Sequence, residues 1–368
     1  MGEIRTFRES DVPEVAALEL KVFRKRKNGA GRDLEEYFCD IFFRNPWRND
    51  GLSSLVYLQD GRIVGFLGVI PRPMVFRSRP IRVAVITQLM ADSDAYRGFA
   101  GVELLRRVFQ GPQDLTFTDG ATESAYSAWK AAGAKVSQLY SLVWRRTLRP
   151  AAFLRNRLET RRQNSVFRAA SKILSPAFDL TDALLAKLPF RAVSPPKTEF
   201  CSQLVGADDL LETVKSLGWR DLLQPAYEPE SFRWLIAQAA ACHAHGTLRA
   251  AVVRDAARAP VGWYVYYAKP NGDSSVLQIG GRPRNFNRIF VALTQDAWLQ
   301  GATAVSGRVI PRYLANFSYQ HCNLRYDGNG VLFHARDSLL LDCILQGEAA
   351  LSRLDGEWWL RFAVEDWS

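Results

Sequence analysis

The residues best suited to chemistry gather between positions 88 and 126. The run Arg97-Gly98-Phe99-Ala100-Gly101 leads into a helical pattern over Gly101–Gln110. N–H groups at a helix start bind phosphate oxygens, a glycine permits close backbone approach, and an arginine adds charge. Carboxylates flank this run. Asp92 and Asp94 follow the apolar segment that ends at Met90, and Asp119 and Glu123 bracket a strand-to-helix junction. Each can take a proton as a general base, and each can equally cap helix donors or stay solvated. Tyr126 stands three residues before Trp129, close enough to share a helix face.

Other chemistry has less support. His243 and His245 are two apart, so inside a helix their side chains diverge, and no Cys-x-x-Cys or His-Glu-x-x-His spacing completes a metal site. No metal is expected. His321-Cys322 lacks an evident carboxamide or carboxylate orienter, so a cysteine hydrolase is not indicated.

With 368 residues, 48% of them apolar and 23% charged, the chain has material for two globular domains. No apolar run approaches the length of a membrane span, and the opening MGEIRTFRESDVPEV carries acids early with no apolar leader core. Five scattered cysteines suit a reducing compartment, so a cytoplasmic location is expected. The formal net charge of +10 is uneven: residues 141–172 hold nine basic residues and the single acid Glu159. That segment reads first as a solvated face or linker, then as a contact for an anionic surface. It lacks the motifs of specific nucleic-acid recognition.

The elements that must position these residues follow from periodicity and turn signals. Strands are expected at Ile4–Phe7, Ser54–Leu58, Arg62–Val69, Arg82–Met90, Asp114–Asp119 and Val136–Arg145. Helices are expected from Ser10 through Phe23, at Leu34–Phe43, at Gly101–Gln110 and near Thr122–Ala132. Residues 149–195, basic and closed by Pro189, Pro195 and Pro196, read as a connection. A similar order then returns. Helices are expected at Leu210–Leu217, Ser231–His243, Phe286–Gln300 and Tyr313–Tyr319, and strands at Leu248–Arg254, Val261–Lys269, Ser275–Gly280 and Ala304–Val309. A hairpin is expected over Leu324–Ala335 about Asp327-Gly328. The repeated order points to an internal duplication.

The first half resembles a GCN5-related N-acetyltransferase (GNAT) domain. The resemblance is carried by Gln88–Leu105, QLMADSDAYRGFAGVELL, and Thr122–Ala134, TESAYSAWKAAGA. In the family's loop pattern, Arg/Gln-x-x-Gly-x-Gly/Ala, Arg97 fills the first place and Gly98 is a common second residue. Ala100 and Val102 stand at the usual glycine positions, with Gly101 between them. In the later pattern, Asn-x-x-Ala-x-x-x-Tyr-x-x-x-Gly, Ala125 and Gly133 are kept, Thr122 replaces Asn and Trp129 replaces Tyr. The second half resembles the same superfamily in tandem proteins, through Gly262–Tyr267, Val276–Pro283, Phe286–Val309 and a closing segment Leu354–Phe362 that looks like a terminal strand. It lacks the usual loop. Arg282, Arg284 and Arg288 are candidates to replace phosphate contacts, hold a domain face or bind substrate.

The resemblance implies an α/β fold of tandem GNAT-like domains, each with a curved mixed sheet flanked by helices. The domains would be residues 1–148, with an acyl-CoA site, and 196–368, with an acceptor-positioning role, joined by the basic linker 149–195. It implies transfer of an acyl group from acetyl-CoA or another acyl-CoA to a primary amine of a small molecule, amino sugar or peptide. Gln88, Leu89 and Met90 would contact pantetheine and the thioester carbonyl, and Arg97, Gly98, Phe99, Ala100 and Gly101 the phosphates. Asp92, Asp119, Glu123 and Tyr126 are the catalytic candidates. The acceptor is expected between the domains, with Trp263, Tyr264, Tyr266 and Tyr267 as candidates to contribute packing there, while strand alternation places some of the four on the opposite face. Two other readings stay open: a degenerate GNAT-fold binding or regulatory module, and an aminoacyl or peptidyl transferase related to cell-envelope enzymes.

Overall fold

A computed structural model describes residues 2–24, 32–92, 99–161, 196–219, 221–326, 328 and 330–362. Arg97, Gly98, Asp94, Asp327 and residues 162–195 of the expected linker lie outside the described residues. The chain divides into two units, one of Met1–Ser141, Arg220–Ala239 and Tyr326–Ser368, the other of Leu142–Trp219 and Ala240–Arg325.

The first unit begins with β1 (Glu3–Thr6), α1 (Val12–Arg24) and α2 (Arg32–Phe42). A long meander follows in β2 (Leu55–Gln59), β3 (Arg62–Phe76) and β4 (Arg79–Ala91). Asp60 and Gly61, both at positive φ (51° and 77°), make the β2–β3 turn that the Asp-Gly pair announces. Arg77 and Ser78 make the β3–β4 turn at φ 48° and 65° without a glycine, which is why both strands outrun their expected ends. Pro71 and Pro73 do not stop β3. They fall between the end of β2 pairing at Leu67 and the start, at Met74, of pairing with the short strand β9 (Leu223–Pro225), where one edge of β3 is open and a missing N–H breaks no ladder bond.

The unit continues with α3 (Ala100–Phe109), β5 (Leu115–Ala121), α4 (Glu123–Ala132) and β6 (Lys135–Val136). The expected strand Val136–Arg145 is broken. The Ser141 hydroxyl donates to the Ser137 carbonyl at 2.6 Å, closing a turn, and the chain resumes as β7 (Leu142–Thr147), which belongs to the other sheet. α5 (Pro150–Arg161) follows.

The second unit holds β8 (Cys201–Leu204), α6 (Ala207–Leu217), β10 (Thr247–Arg254), β11 (Pro260–Ala268), β12 (Asp273–Gly281), α8 (Phe286–Leu299), β13 (Ala304–Arg308), α9 (Leu314–Tyr319) and β14 (Asn323–Tyr326). β9 (Leu223–Pro225), α7 (Pro229–Ala240), β15 (Gly330–Ala335) and α10 (Ser338–Leu345) pack with the first unit.

The sheet orders are β1-β2-β3-β4-β5-β15-β6, with β9 also on β3, and β8-β10-β11-β12-β13-β7-β14. They correspond place by place, including one parallel pair in each, β4 with β5 and β12 with β13. The late strand β15 sits beside β5, and the early strand β7 beside β13. This exchange corrects two expectations. Leu324–Ala335 is not a hairpin, because β14 and β15 lie in different sheets. The domain limits expected at 148 and 196 are not where the contacts divide, because β7 leaves the first unit and residues from 326 onward return to it.

Alternation along β3 sends Phe66 and Leu67 to opposite faces. On one face Phe66 meets Phe7, Phe38 and Phe42, with ring centroids 4.9 Å apart for Phe7. On the other, Leu67 joins Leu104, Leu105 and Trp129 under α3 and α4. Full burial of a side chain such as Phe38 contributes about 1.5–3 kcal/mol.

In the second unit Trp263, Tyr264, Tyr266 and Tyr267 are fully buried, which overturns their expected place on an acceptor face. Tyr264 and Tyr266 pack in the core, and their hydroxyls lie 3.3 and 3.0 Å from an Asp296 oxygen that also serves Arg249.

Candidate active site

β4 and β5 pair only from Val83–Leu115 to Val85–Phe117. Each strand runs on, β4 to Ala91 and β5 to Ala121, so they part. The parting coincides with a bulge in β4. Pairing to β3 jumps from Met90–Phe66 to Thr87–Gly68, leaving Gln88 and Leu89 opposite Leu67 alone, and Gln88 takes φ 50°. A non-glycine residue held there stores about 1–3 kcal/mol of strain.

The opening is a cavity of about 330 Å³. Gln88, Leu89 and Met90 form one wall, Gly101 the start of α3, and Ala125, Ala128 and Trp129 the facing stripe of α4. Neither helix start carries a side-chain cap: Phe99 precedes α3 and Thr122 precedes α4 without one. Among the described residues, the first N–H groups of each helix therefore lack an intrahelical acceptor or an N-cap side-chain acceptor.

Glu357 lines this cavity from the C-terminal segment. Its carboxylate accepts from the Thr118 hydroxyl and from the Gly120 N–H at 3.1 Å, and the Thr87 hydroxyl also bonds it. Burial, with the charge of Asp119 beside it, raises its pKa to about 7 despite these donors. Asp119 accepts the Glu357 N–H at 2.6 Å and so fixes the backbone that carries the acid. Two glycines make room. A Cβ on Gly356 would stand 2.2 Å from the Asp119 carboxylate, and one on Gly120 would stand 3.1 Å from Glu357 Oε1.

This geometry can bind an extended chain between parted strands, receive an anionic group at a helix start and accept a proton at a carboxylate poised near neutrality. The fold that frames this opening is similar to that of solved structures. A probable N-acyltransferase from Enterococcus faecalis V583 matches at TM-score 0.58 and 10% identity over 91% of this chain and 73% of that one. A GCN5-related N-acetyltransferase from Anabaena variabilis matches at 0.57 and 12% over 92% and 74%. Saccharomyces cerevisiae N-myristoyltransferase with bound myristoyl-CoA matches at 0.50 and 11% over 90% and 77%. The fold is that of the GCN5-related N-acetyltransferases. No family model matches the chain, and no curated protein is similar to it in sequence.

Within the GNAT fold the expected site residues separate. Gln88, Leu89, Met90 and Gly101 come together at the opening. Ala100 is buried at the start of α3, and Phe99 is 77% exposed. Gly101 is not demanded by sterics, since an added Cβ would meet Leu89 at an ordinary 3.7 Å. Asp92 pairs with Lys21 at 2.6 Å, and Glu123 is exposed at the first turn of α4. Tyr126 packs over Gly330 of β15 and is not in the cavity wall. Trp129, at the family's tyrosine position, is 1% exposed and packs against Phe109 with centroids 5.5 Å apart.

Glu357 is the residue that sequence reasoning missed. Leu354–Phe362 was expected to be a terminal strand, and it is a series of turns instead. The signal was local: Gly356-Glu357-Trp358-Trp359 sets one acid between a glycine and two tryptophans. Among the described residues no three His, Cys, Asp or Glu side chains gather as metal ligands, and no helix is long and apolar enough to cross a membrane.

Proposed function

We propose that the chain is an acyl-CoA-dependent N-acyltransferase acting on a primary amine of a small molecule, amino sugar or peptide. The observation that carries this reading is the parting of β4 and β5 with the Glu357 carboxylate at its wall. The likeness to acyltransferase structures supports it, and one of those structures holds myristoyl-CoA. The acyl-CoA is a substrate. Its pantetheine lies along Gln88–Met90, and its phosphates meet the N–H groups at the start of α3 around Ala100 and Gly101. Arg97 and Gly98, outside the described residues, are proposed to add to that contact.

An alkylammonium with pKa near 10.4 cannot attack, and freeing its neutral form at pH 7 costs about 4.6 kcal/mol. Glu357 takes the first proton. The amine nitrogen then bonds to the thioester carbonyl carbon, the C–S bond breaks, and the second nitrogen proton passes to the departing thiolate. The products are an amide, CoA thiol and a protonated Glu357, which returns its proton to solvent. Asp119 acts as a positioning residue through the Glu357 backbone. The five free cysteines support a cytoplasmic setting.

The test is a product screen with acetyl-CoA and longer acyl-CoAs against pooled amines, amino sugars and peptides, read by intact-product mass spectrometry. The expected result is a mass gain equal to the acyl group in one acceptor class. Free thiol release without an acylated amine in any class would count against the assignment.

A further inference from the structure

A separate cavity of about 860 Å³ lies within the second unit. Its walls come from β7, the segment before β8, the first turn of α8 and the end of α9. Alternation along β7 puts Trp144 and Arg146 on the same face. Trp144 stacks on Phe317 of α9 at 5.3 Å, and Arg146 is carried to the end of that helix.

Arg146 is 8% exposed, and its Nη1 donates to Gln320 Oε1 at 3.0 Å. Among the described residues no carboxylate answers its charge. The nearby Cys322 thiol cannot serve, because burial pushes its pKa up to about 12 and keeps it neutral. The adjacent Arg145 shows the contrast, paired with Asp273 at 2.8 Å. A buried guanidinium without an anion is costly to keep, and its planar fork fits a bidentate oxyanion.

The rest of the cavity adds to this. Lys197 and Arg288 are exposed cations in the lining, and neither is in an ion pair among the described residues. Arg288 lies over the Phe200 ring at 5.3 Å, which steadies its head group. Among the described residues Glu199 is the one acid in the wall. Three cations against one acid call for a ligand with at least two negative charges. Phe200 and Tyr319 offer faces for an organic part, and the volume suits a small molecule.

We propose that this cavity binds a phosphorylated small molecule, with Arg146 as the buried fork and Lys197 and Arg288 at the mouth. It is a second anion site, independent of the opening between β4 and β5.

The test is calorimetric titration of the full chain with inorganic pyrophosphate, with citrate as a polycarboxylate competitor. One saturable site is expected in the wild type. Arg146→Gln should weaken binding at least thirtyfold, and Arg288→Ala, an exposed change that spares folding, about tenfold. Ala128→Phe, which fills the first opening, should leave pyrophosphate affinity within twofold, so failure of the acyltransferase reading is distinguishable from failure here. Three results would overturn the proposal: no saturable pyrophosphate binding, affinity unchanged in Arg288→Ala, or citrate binding as tightly as pyrophosphate.

Discussion

The backbone N–H of Glu357 donates to the Asp119 carboxylate at 2.6 Å, joining residues 238 positions apart. That bond sets a half-buried acid against the place where β4 and β5 part. Replacing Glu357 by Gln keeps the shape and removes the base. Steady-state kinetics should show kcat lower by about 10²–10⁴, with KM for the acyl donor nearly unchanged. A loss confined to KM would mean that Glu357 holds substrate and does not move protons.

The pKa of Glu357 near 7 places a limb in the pH profile. The base works ionised, so log kcat should rise with pH up to about 7 and then level. Thr118→Val removes a donor to the ionised form and should move the limb upward. A limb that stays in place in Thr118→Val would show that another group titrates.

Glu19 of α1 is fully buried, neither of its oxygens has a hydrogen-bond partner among the described residues, and burial raises its pKa to about 7 against the pull of Arg24, whose Nε lies 3.9 Å away. The folded chain binds this proton more tightly than the unfolded chain. The stabilisation is full below about pH 4.5 and is lost as pH rises through about 7. Glu19→Gln should therefore stabilise the protein at pH 8, by about 1–2 kcal/mol, and change little at pH 5. Urea denaturation at both pH values reads the difference. Equal effects at the two would contradict burial of an ionising group.

Ser78 sits at φ 65° in the two-residue turn between β3 and β4. Ser78→Gly should stabilise by about 0.5–1 kcal/mol, since glycine adopts that conformation without Cβ strain. Gly356→Ala should do the reverse, because its Cβ would enter the Asp119 carboxylate. Thermal melts of the two variants are expected to shift in opposite directions.

Much of the first site was legible. The apolar runs at Arg82–Met90 and Asp114–Asp119 do lie side by side as β4 and β5, and a helix does begin beside Gly101. The Asp60-Gly61 turn was readable because the pair tolerates positive φ; Arg77-Ser78 carries no such mark. Strand exchange was not readable. Period-two alternation identifies β7 and β15 as strands but does not say which sheet each joins, and Asp327-Gly328 looked like a hairpin turn. Tyr264 and Tyr266 looked like an aromatic face because Asp296, which accepts their hydroxyls, is 32 and 30 residues away. Glu357 escaped for the same reason, as its partners Thr118, Asp119 and Gly120 lie 239, 238 and 237 positions earlier in the chain.

The most direct measurement is calorimetric titration of acetyl-CoA and myristoyl-CoA into the wild type and into Ala128→Phe. Ala128 lines the opening of about 330 Å³ between β4, β5 and α4, and a phenyl ring there fills the space that the pantetheine would occupy. Saturable binding of at least one acyl-CoA in the wild type, lost in Ala128→Phe with the melting temperature kept within a few degrees, is the predicted result. No saturable binding in the folded wild type, or equal binding in the two proteins, would contradict the assignment of this opening as the acyl-donor site.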